Sequence, residues 1–147
     1  MANQDHLYIL KQGTTHWNQW RRQHPALLPD LSRANLSRAD LRFTNFAEAN
    51  LSYADLTSAN LEGANLAGAN LSLSVLRSAH MTGAVFTRAD LTAADMTEAD
   101  LKQADLRFAI LRVAKLSRAD LRGTNLDGAN LDGAILDNAK KRKGFFG

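Results

Sequence analysis

The sequence predicts an all-β solenoid, because one five-residue pattern recurs without interruption along most of the chain. From Leu31 to Leu136 an apolar residue occupies every fifth position, and 18 of these 22 residues are Leu. We call this residue the centre of its repeat. Two positions before the centres, 18 of the 21 residues from 34 to 134 are Ala, and Asp or Asn fills 16 of the 22 positions in between. Residues 29–139 are therefore expected to form one repeat structure.

A spacing of five excludes the two simplest regular structures. On an α-helix, successive centres would be rotated by about 140° and could not form one apolar stripe. On a flat strand, an odd spacing would place successive centres on opposite faces. The Ala and the centre are two residues apart, so both can point inward from a short extended segment if the chain turns in every repeat. The pattern therefore predicts a coil with stacked centres in its interior.

The other repeat positions suit the corners of such a coil. Asp and Asn bond to nearby backbone groups in turns, and Gly at positions 63, 68, 83, 123, 128 and 133 relaxes the turn geometry. Coils stacked about 4.8 Å apart would pair their backbone amides, and each buried Leu would contribute roughly 1.5–3 kcal/mol. The repeat is thus expected to form the core.

The repeat also resembles a known family. The runs ANLEG, ANLAG, ADLTA, ADMTE and ADLKQ match the motif of pentapeptide-repeat proteins, in which Ala, Asp or Asn, and Leu precede two variable residues. The resemblance covers residues 30–139 and is of a cyanobacterial type. It implies a right-handed quadrilateral β-helix with four repeats in each 20-residue coil. The 22 repeats would then form about five and a half coils.

Residues 1–28 are predicted to form a helical N-terminal cap. A coil end exposes unpaired backbone and apolar side chains, which favour aggregation unless they are covered. Trp17 and Trp20 would supply apolar area for this purpose. The alternative is that these two Trp residues bind a partner together with the neighbouring Arg21 and Arg22.

The cap segment contains signals for two short helices. Gly13 is a plausible stop signal for the first helix, and Thr15 is a plausible N-cap for the second. The second helix is expected to end near Pro25.

The segment 140–147, KKRKGFFG, is a basic C-terminal tail. A solvated or frayed tail is the expectation, since chain ends with charged residues are rarely ordered. Two alternatives are packing of Phe145 and Phe146 on the last coil, and contact of the cations with nucleic acid or anionic lipid.

Composition excludes several classes of protein. The chain contains no Cys, so disulfides, thiolate metal sites and thiol nucleophiles are excluded. No apolar run approaches the roughly 18 residues of a membrane span, and the first residues lack a secretory signal pattern. We therefore expect a cytoplasmic protein without a membrane span. The net charge of +3 arises at the chain ends, because residues 29–139 hold 11 basic and 14 acidic residues.

No catalytic group, metal site or cofactor is predicted. The His residues at positions 6, 16, 24 and 80 have no ligand spacing, and in a four-sided coil Asp90, Asp95, Asp100 and Asp105 would lie on different sides. Phosphate-binding loops and nucleophilic Ser motifs are absent from the sequence. The sequence indicates a protein that is not an enzyme.

Six repeats lack the Asp or Asn before the centre. A corner can lose one such hydrogen bond for about 1 kcal/mol, so we interpret these replacements as variation of the scaffold. For His80, a proton switch or a ligand role is the alternative. The six replacements are Val75, His80, Val85, Ile110, Lys115 and Ile135.

Twenty-residue stacking aligns four residues that follow their centres by two positions, and these are expected to face outward. Apolar residues in a row on a solenoid are a candidate surface for a protein partner or for self-association. The row consists of Tyr53, Leu73, Ala93 and Val113.

Three classes of function remain open from the sequence. A protein-interaction scaffold with an unknown partner is favoured, because solenoids act through extended surfaces. The family resemblance also raises the possibility of a DNA mimic that binds an enzyme such as DNA gyrase. A mimic needs rows of negative charge, whereas the two variable positions of the repeats hold six acidic and ten basic residues.

The third class is a basic nucleic-acid-binding module, which we favour less. It would use a partial belt of cations between positions 102 and 122, but these residues would be spread around the rod, with Phe108 as the aromatic residue among them. The candidate belt consists of Lys102, Arg107, Arg112, Lys115, Arg118 and Arg122.

Overall fold

A computed structural model describes residues 1–142 of the 147-residue chain. Helix α1 spans Gln4–Lys11, and helix α2 spans Thr14–Gln23. A coil of parallel backbone pairs follows, from Asp30 to Lys140. No helix within the described residues is long and apolar enough to cross a bilayer. Phe145, Phe146 and the end of the predicted basic tail lie outside the described residues.

The coil has a register of twenty residues. Asp30 pairs with Asn50 in parallel, and the same offset continues to the pair of Asp120 with Lys140. Each centre from Leu31 to Leu121 donates its amide to the next coil, as Leu31 N does to Asn50 O at 2.7 Å. This register confirms the implied four repeats per coil.

Each corner is a four-residue turn that begins at the centre. In the first repeat, the amide of Ala34 donates to the carbonyl of Leu31 at 3.1 Å. The third residue of the turn, Arg33, has φ 61°, and the equivalent residue is left-handed in all 22 repeats. A positive φ at the third residue alone is typical of type II turns. Sixteen of these 22 residues are not Gly, so the stacked coils impose a backbone conformation that most of these side chains disfavour.

The Asp and Asn residues stabilise the corners by one repeated hydrogen bond. Asn50 Oδ1, for example, accepts the amide of Ser52 at 3.0 Å, two residues later. All 16 Asp and Asn residues before a centre accept this bond. The six replacement residues, including Val75, His80 and Val85, have no side chain that forms it. Their coils keep the same register, which supports the interpretation of scaffold variation.

The interior is a column of centres with small residues between them. The centres from Leu31 to Leu121 are buried, and most of them are completely inaccessible. The Ala residues of the repeats line the same interior. The last three centres, Leu126, Leu131 and Leu136, are half-buried, since no described coil stacks above them.

The two helices meet at Gly13. Asn3 caps α1, because its Oδ1 accepts the amides of Asp5 and His6. Gly13 has φ 108° and serves as the N-cap of α2 without a side-chain hydrogen bond. The prediction of Thr15 as N-cap was therefore wrong: Gly13, with its positive φ, takes the N-cap position, and α2 begins at Thr14, two residues earlier than an N-cap at Thr15 would place it.

Helix α2 lies against the first coil and satisfies its backbone. Trp17 is fully buried, and its Nε1 donates to Asn45 O at 2.8 Å. Asn18 accepts the Asn45 amide at 2.8 Å and donates to Phe43 O at 3.0 Å. The bonds to the amide and carbonyl of Asn45 replace those that a preceding coil would make. Trp17 is thus part of the cap and is not exposed to a partner, while Trp20 stacks against it half-buried, with ring centroids 5.1 Å apart.

Arg21 extends the same capping role. Its two terminal nitrogens donate to Leu27 O at 2.9 Å and Ala47 O at 2.7 Å. Burial lowers the pKa of Arg21, and the negative charge of Glu48 opposes this shift. A buried cation thus terminates the open backbone edge of the first coil.

The stacking of corners predicts that some Gly positions tolerate a side chain less well than others. Gly63 has φ +65°, and a Cβ there would lie 2.5 Å from the Phe43 ring in the coil below. Gly83 has φ +67°, and nothing lies within 4 Å of a Cβ at that position.

We expect Gly83→Ala to lower the free energy of unfolding by about 1–2 kcal/mol through the left-handed backbone alone. Gly63→Ala should lose roughly 1 kcal/mol more, because the exposed Phe43 ring must move aside. Denaturant unfolding measures both values. In a Phe43→Ala background the extra loss should disappear, and its persistence there would contradict the ring contact.

Candidate interaction surface

The structure places the four predicted outward residues in one column. Tyr53, Leu73, Ala93 and Val113 each follow a centre by two positions and therefore occupy the same corner of successive coils. Their backbones are linked directly, since Tyr53 N donates to Ser72 O at 3.0 Å and Leu73 N donates to Thr92 O at 2.9 Å. The side chains are consequently held about 4.8 Å apart along the coil axis.

Two further apolar residues lie beside this column. Phe108 occupies the preceding corner of the coil that contains Val113, and Ile110 lies on the flat segment between them. We call the resulting surface the apolar side; it consists of Tyr53, Leu73, Ala93, Phe108, Ile110 and Val113. Among the described residues 30–139, five of the seven large hydrophobic residues that are exposed belong to it. Their exposed fractions range from 39% to 56%, so the surface is accessible.

The aromatic rings of the apolar side are held by residues of the coil below. The guanidinium of Arg33 lies 4.3 Å from the centroid of the Tyr53 ring, and that of Arg88 lies 5.7 Å from the centroid of the Phe108 ring. Such contacts between a cation and an aromatic ring contribute about 0.5–1 kcal/mol at exposed sites. The ring of Phe108 also covers Gly128 in the coil above. The surface is therefore ordered before any partner binds.

The sequence revealed only part of this surface. Ile110 was recognised as a missing Asp or Asn, and Phe108 as an aromatic residue of the basic belt. Neither was assigned to the apolar row, because Phe108 lies on the preceding corner of the coil and Ile110 lies directly before a centre. The sequence feature that could have identified them is their place in consecutive repeats of one coil, at positions 108 and 110, shortly before Val113.

The structure distributes the predicted basic belt around the coil. Lys102 and Arg122 share one side, being twenty residues apart, and the other belt residues lie elsewhere. Four of the six cations form ion pairs, with the partners Asp100, Asp105, Glu98 and Asp120 for Lys102, Arg107, Arg118 and Arg122 respectively. Arg112 and Lys115 form no ion pair with any residue in the described range. The belt is thus divided and largely neutralised.

The Asp and Arg pairs share one geometry. Arg122 donates from Nε and Nη2 to the two carboxylate oxygens of Asp120, at 2.9 and 2.7 Å. This hydrogen bond from Arg122 lowers the pKa of Asp120 to about 2. Arg107 lowers the pKa of Asp105 by the same kind of contact. Asp105 and Asp120 therefore accept their hydrogen bonds from Arg residues of their own corners.

The described residues contain no arrangement suited to metal binding. No group of three or more His, Asp or Glu side chains within residues 1–142 could hold an ion. His80 is exposed, and its neighbours in the coils below and above are Asn60 and Asp100.

The fold and its surfaces define a class of protein, a four-sided β-solenoid closed by helices at one end. The family model of pentapeptide repeats matches the chain in eight copies, over residues 30–68, 54–92, 69–107 and 114–140. The chain belongs to the pentapeptide-repeat family. Its coil is accordingly a right-handed quadrilateral β-helix with a short helical N-terminal cap.

Solved structures of cyanobacterial relatives are similar to this chain. HetL from Nostoc sp. strain PCC 7120, a pentapeptide repeat protein involved in heterocyst differentiation regulation, is 31% identical over 80% of this chain, with a TM-score of 0.58. The match spans 62% of the HetL chain. Rfr23 from Cyanothece 51142 is 23% identical, covers 86% of this chain and 94% of its own, and has a TM-score of 0.63. No curated protein matches the chain significantly.

The Asp120 pair predicts a specific pH dependence. A depressed pKa means that protonation favours the unfolded chain, so the stabilising effect of the pair is complete above pH about 3.8 and is lost as the pH falls to about 2. Arg122→Gln should raise the pKa of Asp120 towards 3.8, as measured by NMR titration of the carboxyl carbon. Arg112→Gln is the control, since Arg112 pairs with no described carboxylate. Equal Asp120 titration in both variants would contradict the assignment.

Proposed function

We propose that this protein is a non-enzymatic interaction scaffold that binds a protein surface through its apolar side. The observation that carries this proposal is the unequal distribution of exposed apolar residues, five of seven on one side of the coil. Exposed apolar residues that lie together on one side of a solenoid are unfavourable in water, and this arrangement is typical of a surface that another molecule covers.

The rigidity of the coil supports binding by this side. The amides of the corner residues from Arg33 to Arg118 donate to the next coil, as Val113 N does to Asp132 O at 2.8 Å. A preformed surface loses little conformational entropy on association, which favours affinity for a given contact area.

The polar residues support a role without catalysis. Asp and Asn side chains that could act as acids, bases or ligands instead accept hydrogen bonds from the backbone of their own corners.

The charge distribution supports protein binding over the two alternatives. A DNA mimic requires continuous negative columns, but here Asp40, Asp105 and Asp120 each pair with Arg two residues later. A nucleic-acid-binding module requires free cations on one face, whereas the basic belt is spread over several sides and largely paired.

The test is affinity capture from an extract of the native host. We expect the wild-type chain to retain a protein that Leu73→Asp and Val113→Asp each fail to retain. Both positions have positive φ, at 59° and 52°, and Asp tolerates this conformation better than Leu or Val, so the variants should fold.

Phe43→Asp is the matched control. Phe43 is an exposed apolar corner residue with φ 58°, but it lies on the opposite corner of the coil. Retention of the partner by this variant is expected. Equal capture by all four proteins would exclude the apolar side as the binding surface.

A further inference from the structure

We propose that the apolar side binds a second copy of the same side, with the two coils antiparallel. This inference rests on the proposed function and specifies the partner. It follows from the order of charges along the corner column that carries Tyr53 and Leu73. A two-fold axis that lies between the two copies, perpendicular to the long axis of each coil, would place this column opposite the same column of the second copy. The two columns would then run in opposite directions.

The column has a cation at one end and apolar residues in the middle, and it ends at Gly133, next to the carboxylate of Asp132 in the adjacent column. Arg33 occupies the corner in the first coil, and Asp132 lies in the last coil beside Gly133, which ends the column. Neither charged residue forms an ion pair with any other described residue. Tyr53, Leu73, Ala93 and Val113 lie between them.

Reversal of this column produces complementary contacts at every level. Counting coils from one to six, an antiparallel copy places the first opposite the sixth, so Arg33 meets Asp132 of the other copy. Tyr53 then meets Val113, and the small Ala93 meets Leu73, which is the alternation that packing requires. A parallel copy would instead place Arg33 opposite Arg33, and like charges across an interface are unfavourable. The antiparallel arrangement is therefore the complementary one.

The geometry also limits the size of the assembly. A two-fold contact uses the same surface on both copies and closes on itself, so it forms a dimer and not a filament. The column extends over five coil steps, about 24 Å. A contact of that length along one side is at the small end of the range for specific interfaces, so the dimer should dissociate on dilution.

A charge exchange within one chain tests the arrangement. Association is measured by sedimentation velocity from micromolar to millimolar concentration for the wild type, Arg33→Asp, Asp132→Arg and the double variant. Each single variant creates like charges in both contacts and should weaken dimerisation by at least about tenfold. The double variant restores opposite charges and should recover most of the lost affinity, with a remaining difference from the wild type that reflects the missing contact between Arg33 and the Tyr53 ring.

The substitutions are compatible with the coil. Asp is tolerated at the left-handed Arg33 position, and Arg already occupies the position equivalent to Asp132 at Arg112, Arg107 and Arg122. Circular dichroism should therefore be identical for all four proteins.

The outcomes separate this inference from the proposed function. A wild-type chain that stays monomeric throughout the range, or a dimer that ignores both single variants, overturns the inference. Failure of the double variant to recover also overturns it. If any of these results occurs while Leu73→Asp still abolishes capture of another protein, the scaffold role stands and only the identity of the partner changes.

Discussion

The structure depends on one constraint, the parallel pairing of successive coils at an offset of twenty residues. This register aligns the corners, and the centres then stack as one apolar column from Leu31 to Leu136. A shift by a single residue would place an Asp or Asn in the interior and a Leu outside, at a cost that no local contact could offset. Because the backbone bonds and the buried side chains require the same register, the coil remains regular through the six repeats that lack Asp or Asn.

The left-handed corners connect this register to the surface. Sixteen residues other than Gly adopt positive φ, and the ladder of backbone bonds between coils holds them there. Their side chains extend outward and contact the residue of the next coil, as Arg33 contacts Tyr53 and Phe108 covers Gly128. The outer surface is therefore a set of vertical columns. Binding properties of such a protein arise from the order of residues within a column, and neighbours in sequence lie on different columns.

The repeat spacing was sufficient to predict the coil and which residues face inward, because both follow from the direction of side chains in a short extended segment. The four sides came from the family resemblance, since a spacing of five is compatible with other numbers of corners. The start of α2 was mispredicted because Gly13 follows the end of α1 and is also the N-cap of α2. Phe108 and Ile110 were not joined to the predicted row, because the spacing fixes inside and outside but does not show how side chains on adjacent corners and on the segment between them meet. The residues of the basic belt are close together in the sequence, but the coil places them on different sides.

The central claim can be tested directly by NMR couplings across hydrogen bonds. In a labelled sample, the amide nitrogen of Leu66 should couple to the carbonyl carbon of Val85, nineteen residues later, because Leu66 N donates to Val85 O at 2.7 Å. The same offset should hold for Leu71 with Asp90 and for Leu76 with Asp95. A three-sided coil would shift the offset to fourteen residues, and a helix would join each amide to a carbonyl four residues earlier. Either result would contradict the twenty-residue register on which the surfaces described above depend.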